Sequence, residues 1–340
     1  MVPQNHSRKA AQLTVRVLGN PLLAVLGWCG IPNCQHARGQ LPAQTTIFMQ
    51  NLLLSLTLLC LSFTPPARPA YQLYSQKGKA ITYSKLLKQA AEADVVLFGE
   101  LHNNPICHWL QLQLTRDLYA LKKSQLVLGA EMVEADNQTA LSSYVQGSIS
   151  DDEFAGQTRL WPNYDTDYRP LVDFARTNKV PFVASNVPRR YATLVSRQGL
   201  AALDTVADKQ WLAPLPLTVD LTLPGYKAML DMMAGPSHGG VSHGETGAEN
   251  FARAQAIKDA TMAHFILKNW QQGKLVLHYN GDYHSKNFEG IGWYLHRQNP
   301  ALRVMTISSV EQESIRNLIA ENKNTGTVVL AIPSDMTKTY

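Results

Sequence analysis

The chain has 340 residues, 45% hydrophobic and 17% charged, which suits one large domain or a domain carrying a helical insert. Its formal charge of +5 arises within residues 1–70, where Arg8, Lys9, Arg16, Arg38 and Arg68 meet no acid. Taking those five from the 31 basic residues leaves 26, equal to the 26 acidic ones, so the body lacks the electrostatic footprint of a nucleic-acid binder.

Residues 1–48 carry few signals of order and read as an upstream extension, which a start at Met49 would leave untranslated. From there, residues 52–63 form a short apolar run, followed by Thr64-Pro65-Pro66-Ala67-Arg68-Pro69-Ala70. This pattern predicts a signal peptide over residues 49–70, cleaved after Ala70. A bilayer span needs about 20 apolar residues, more than this run offers. The expectation is export, to the periplasm or to the outer side of a membrane. Cys29, Cys34 and Cys60 would leave with the leader, so Cys107 would stand alone in the mature chain without a disulfide partner. It is expected to be buried as a small hydrophobe.

Residues 71–340 read as one α/β domain. A short amphipathic helix over 83–91 feeds the apolar run Val95-Val96-Leu97-Phe98, which ends in Gly99-Glu100-Leu101-His102. Pro105 opens a second helix, with His108 in its first turn. The run 125–130 is a strand ending in Glu131. A helix starting near Ala135 and an aromatic loop from Trp161 to Tyr168 come next. After a helix over 171–178, the strand 180–185 ends in Asn186. Pro188-Arg189-Arg190 then opens a helix whose free N–H groups and guanidinium forks suit an anion.

Residues 200–272 read as a helical insert. Met229, Met232 and Met233 form a stripe there that predicts core packing, and a glycine-rich loop carries His238 and His243. Beyond the insert, the run 274–279 leads into a second Gly-x-x-His unit, Gly281-Asp282-Tyr283-His284. A helix over 290–298 and strands near 303–307 and 327–332 close the chain. Alternating strands and helices predict a mainly parallel sheet flanked by helices, with a smaller helical subdomain. Ligands of such sheets bind beyond the carboxyl ends of the strands. That places Glu100, His102, Glu131, Asn186, Asp282 and His284 on one rim.

The paired Gly-x-x-His units and the strand-end Glu131 resemble the Tiki superfamily, and within it the ChaN-like haem-binding uptake proteins. The phrases carrying the resemblance are the run from Val96 to Pro105, Glu131-Met132, the run from Ala184 to Arg190, the run from Ala254 to Ala263, and Gly281-Asp282-Tyr283-His284. The resemblance implies a haem-binding protein of iron or haem uptake. Its expected partners are haem, haem-transport proteins and a second copy of the chain. The alternative it implies is a metal-dependent hydrolase of peptide or ester bonds.

Haem needs an axial ligand, an apolar platform and a cation for its carboxylates. A tyrosinate suits ferric iron, and Tyr164, Tyr168, Tyr279 and Tyr283 are the candidates, with His238 and His243 as alternatives and Arg190 as a cation. The hydrolase reading needs a divalent ion with an open position. Glu100, His102, Glu131 and His284 would be its ligands, one carboxylate serving as base. No His-Glu-x-x-His spacing accompanies them.

Overall fold

The structure is a computed structural model and describes residues 68–234 and 244–340. The upstream extension, all but the last three residues of the expected signal peptide, and both His238 and His243 lie outside these residues.

The elements run in chain order as β1 (Gln72–Ser75), β2 (Ala80–Ile81), α1 (Tyr83–Glu92), β3 (Val95–Glu100), α2 (Pro105–Lys122), β4 (Leu126–Glu134), α3 (Gln138–Gln146) and α4 (Asp151–Gln157). They continue as α5 (Arg169–Asn178), β5 (Phe182–Asn186), α6 (Arg189–Gln198), α7 (Pro224–Ala234), α8 (Gly244–Asn269), β6 (Leu275–Gly281), α9 (Ile291–Gln298), β7 (Val304–Gln312) and β8 (Val328–Pro333). All eight strands join one sheet in the order β2-β1-β8-β7-β3-β6-β4-β5. From β8 to β5 the pairing is parallel, and β1 pairs antiparallel with both β8 and β2 at one edge. The fold is the expected α/β class. The β1–β2 hairpin escaped the sequence reading because β2 is two residues long and has no apolar run.

Strand periodicity divides the core between two faces. Val96, Phe98, Leu126, Leu128, Leu275, Leu277 and Tyr279 point to one side, onto Leu86 of α1, Leu110, Leu114 and Leu118 of α2 and Leu171 of α5. Val95, Leu97, Val127 and Val276 point to the other, onto Ala260, Ala263 and Ile266 of α8 and Ile291 and Leu295 of α9. Both faces are therefore covered, as near-continuous apolar strands require. Each fully buried leucine of α2 contributes roughly 1.5–3 kcal/mol.

The start of α2 is set locally. Pro105 stands in the first turn, and the Asn104 side chain accepts from the Ile106 N–H at 3.0 Å. Cys107, one position on, is fully buried, and burial pushes its thiol up to about 12, so it is inert packing. Within residues 200–272, α8 lies along α6 and contributes to the core beside the sheet. Met262 is buried there, but Met232 is 69% exposed, so the methionine stripe of α7 is not uniformly core. Among the described residues no helix is long and apolar enough to cross a membrane.

Candidate functional site

The two Gly-x-x-His turns leave neighbouring strands. β3 ends at Glu100 and β6 at Gly281, and these residues are register partners. The chain leaves β3 for β4 on one side and β6 for β7 on the other, so the turns open at the point where a parallel sheet forms its crevice. Their glycines explain the echo. A Cβ on Gly281 would lie 2.7 Å from His102 Nε2, and one on Gly99 would lie 2.7 Å from Asp282 Oδ1. Each turn lacks a side chain where the other places one.

Glu100 is 1% exposed and fully partnered. It receives His102 Nδ1 at 2.9 Å, the Tyr168 hydroxyl at 2.8 Å and the Gln111 amide at 2.6 Å. Burial opposes its charge, but His102, His108 and Gln111 together outweigh that and hold the carboxyl below its usual range. His102 in turn is raised: desolvation works against protonation, and the bond to Glu100 together with the charges of Glu100 and Glu131 overcomes it. His108, whose reach was open in the sequence, is buried beneath and donates from Nε2 to the His102 carbonyl at 3.0 Å. Trp161 meets the His102 ring edge-on, with centroids 5.0 Å apart.

A second acid–imidazole chain lies alongside. His284 Nδ1 is 2.5 Å from Asp259 of α8, and its Nε2 is 3.3 Å from Glu131. The other Glu131 oxygen accepts the Gly281 N–H at 2.7 Å. Burial would strip the charge from His284, but the Glu131 and Asp259 carboxylates reverse that and raise it to about 10. Glu131 is held well below the usual range: burial opposes its charge, but His284, His102 and the Gly281 N–H together outweigh that. Asp282 faces away, accepting the Ser309 N–H at 3.1 Å, and burial lifts it to about 6.

Above these groups opens a cleft of about 710 Å³. Its floor includes His102, Glu131, His284 and Asn186, and its far wall is built by α6 and α8. Glu100 does not line it. The four residues expected to bind a metal thus converge, but as two acid–imidazole pairs that satisfy each other. Nδ1 of His102 and both nitrogens of His284 already face carboxylates. Among the described residues no group of three or more His, Cys, Asp or Glu side chains is arranged to hold an ion. This arrangement gives the expected divalent site no support.

Residues 86–295 match the family described as haem-binding uptake, Tiki superfamily, ChaN. The chain belongs to this family. Its fold is similar to that of ChaN of Campylobacter jejuni in a structure described as showing cofacial haem binding, at 17% identity and a TM-score of 0.61 over 78% of this chain and 97% of that one. More distant similarity reaches an erythromycin esterase mutant in its open conformation (12% identity, TM-score 0.40, 71% of this chain and 77% of that one). It also reaches a MARTX toxin effector domain from Vibrio vulnificus (16% identity, TM-score 0.37, 74% of this chain and 40% of that one). No curated protein matches.

Haem, the ligand named in the family's description, can be tested against the tyrosines. Tyr164 and Tyr168 lie in the core, and burial pushes both phenols far above their ordinary value. Tyr168 also donates to Glu100, an anion that opposes any tyrosinate beside it. Tyr279 is fully buried on β6, with its hydroxyl 2.5 Å from that of Thr115. Only Tyr283 of the four is open, at 66% exposure. It stands in a single 3-10 turn between the buried Asp282 and the buried His284, so its backbone is fixed while its ring projects. The Lys286 ammonium sits 3.8 Å from the ring centre, and Phe288 is exposed nearby in the chain. These residues supply a phenol, a cation and an apolar ring, and the group fits them.

Arg190 does not serve the cleft. Its guanidinium is held by Asp136 at 2.5 Å and stacks on Tyr191. Its neighbour Arg189 lines the cleft instead, with Arg197 and Lys258. The sequence reading missed Asp259, Arg197 and Lys258. For Arg197 and Lys258 the signal was present as helical spacing: positions 189, 193, 196 and 197 share one face of α6, and 251, 254, 255 and 258 share one face of α8.

Proposed function

We propose that this protein binds ferric haem as an exported carrier of iron or haem uptake, with Tyr283 as the axial ligand. The family supports haem as the ligand, and one observation carries the residue: of the four candidate tyrosines, Tyr283 alone presents its phenol outward on a rigid turn. A phenolate is a hard anionic donor suited to ferric iron. Lys286 would pair with a propionate and Phe288 would cover part of the porphyrin face. A surface ligand leaves the opposite haem face uncovered, so a second copy of the chain or a haem-transport protein is the partner this geometry calls for. The relative from Campylobacter jejuni is described as binding haem cofacially, which suits the first of these.

Hemin titration of the full chain tests the reading. A saturable Soret shift at micromolar protein is expected, lost or moved by Tyr283→Phe and kept by His102→Ala. Retention of the wild-type spectrum by Tyr283→Phe would refute the assignment.

A second reading concerns the cleft, where His102 is favoured as a general base. Glu100 fixes its Nδ1, its ring is about one-third exposed, and it borders the open volume. Hydrolysis there would proceed on the acid–imidazole pair and would be abolished by His102→Ala.

A further inference from the structure

The far wall of the cleft is cationic in a way that haem at Tyr283 leaves unused. Arg189, Thr193, Ser196 and Arg197 of α6 face Lys258 of α8 across it. Other cations nearby are committed: Arg190 and Arg159 to Asp136, and Arg253 to Glu249. Among the described residues the side chains of Arg189 and Arg197 meet no carboxylate, and the Lys258 ammonium has only the Gln255 amide oxygen, at 3.1 Å. Unpaired guanidinium forks and an ammonium beside two hydroxyls form a site for an oxyanion.

The floor adds an independent observation. Asn186 lines the same cleft and is 9% exposed, and its buried amide oxygen has no hydrogen-bond partner. A hydroxyl of a bound molecule, or a water, would satisfy this acceptor. The floor acids compensate the wall only in part, because Glu131 shares the His284 imidazolium with Asp259 and Glu134 is paired with Arg159.

We propose that the cleft between α6, α8 and the ends of β4 and β6 binds a small phosphate monoester that also carries a hydroxyl group. The doubly charged phosphate meets Arg189, Arg197 and Lys258, which outnumber what a single carboxylate would use. The hydroxyl donates to Asn186. Trp161 and Phe251 also line the cleft. This site is separate from Tyr283 and does not rest on haem binding.

Calorimetric titration of the full chain with glycerol 3-phosphate, inorganic phosphate and malate tests it. Glycerol 3-phosphate should bind saturably and more tightly than either other probe, and more weakly as salt rises. Arg197→Gln and Lys258→Gln should each weaken it about tenfold or more, the loss of a charge-assisted hydrogen bond. Asn186→Ala should bring glycerol 3-phosphate down to the level of inorganic phosphate. Arg190→Gln, outside the cleft, and Tyr283→Phe should leave binding unchanged. No saturable binding by any probe, tighter binding of malate, or equal weakening by Arg190→Gln would each overturn the proposal.

Discussion

His284 is the residue whose surroundings make the strongest demand. A buried imidazole between two carboxylates is stable only while it stays protonated, and its folded value of about 10 lies above the ordinary value of about 6.5. Its contribution to stability is therefore complete below about pH 6.5 and is lost as pH rises through about 10. Denaturant titrations from pH 6 to 11 should show an alkaline decline in the wild type that His284→Gln lacks; an equal decline in both would remove His284 as its source. Glu131 acts in the opposite sense, stabilising above its ordinary range and losing that effect as acid protonates it. Glu131→Ala leaves the imidazolium paired with Asp259 but orphans the buried Gly281 N–H, and should cost about 1–3 kcal/mol, measured by urea unfolding at pH 7. A loss below 1 kcal/mol would mean that solvent already screens the pair.

At the scale of elements, the two Gly-x-x-His turns work as one interlocked unit because β3 and β6 are neighbours in register. Gly281→Ala would drive a methyl group into His102, 2.7 Å away, and should destabilise by about 1–3 kcal/mol. Gly156, in α4, has open space around it, and Gly156→Ala should be neutral or stabilising by about 0.5–1 kcal/mol. Thermal unfolding of both variants checks the contrast, and equal behaviour would deny the close approach. The strand ends that carry Glu100, Glu131, Asn186 and Asp282 were legible in the sequence, since each follows an apolar run. What those side chains would meet was not. Acid–imidazole pairing and metal ligation draw on the same residue types at the same strand ends. Only the distances from His102 to Glu100 and from His284 to Asp259 separate them. Asp259 lies 25 positions before His284 on a helix, beyond the reach of any local pattern. The four tyrosines were equally undecided, because exposure depends on which face of the turn or strand each occupies.

At the scale of the whole molecule, Tyr283, proposed to hold haem, does not line the cleft between α6 and α8 that is proposed to take a small anion. The division predicts that haem loading and glycerol 3-phosphate binding are independent, each unchanged by saturation with the other. It also predicts that hemin promotes self-association, read as a faster-sedimenting species in velocity runs with equimolar hemin and absent without it. The central claim, ferric haem held by a phenolate from Tyr283, is tested most directly by resonance Raman spectroscopy of the haem-loaded full chain. Iron–phenolate bands should be present in the wild type and in Tyr168→Phe and absent in Tyr283→Phe. Bands that survive in Tyr283→Phe, or a wild-type spectrum of histidine-ligated haem, would contradict it.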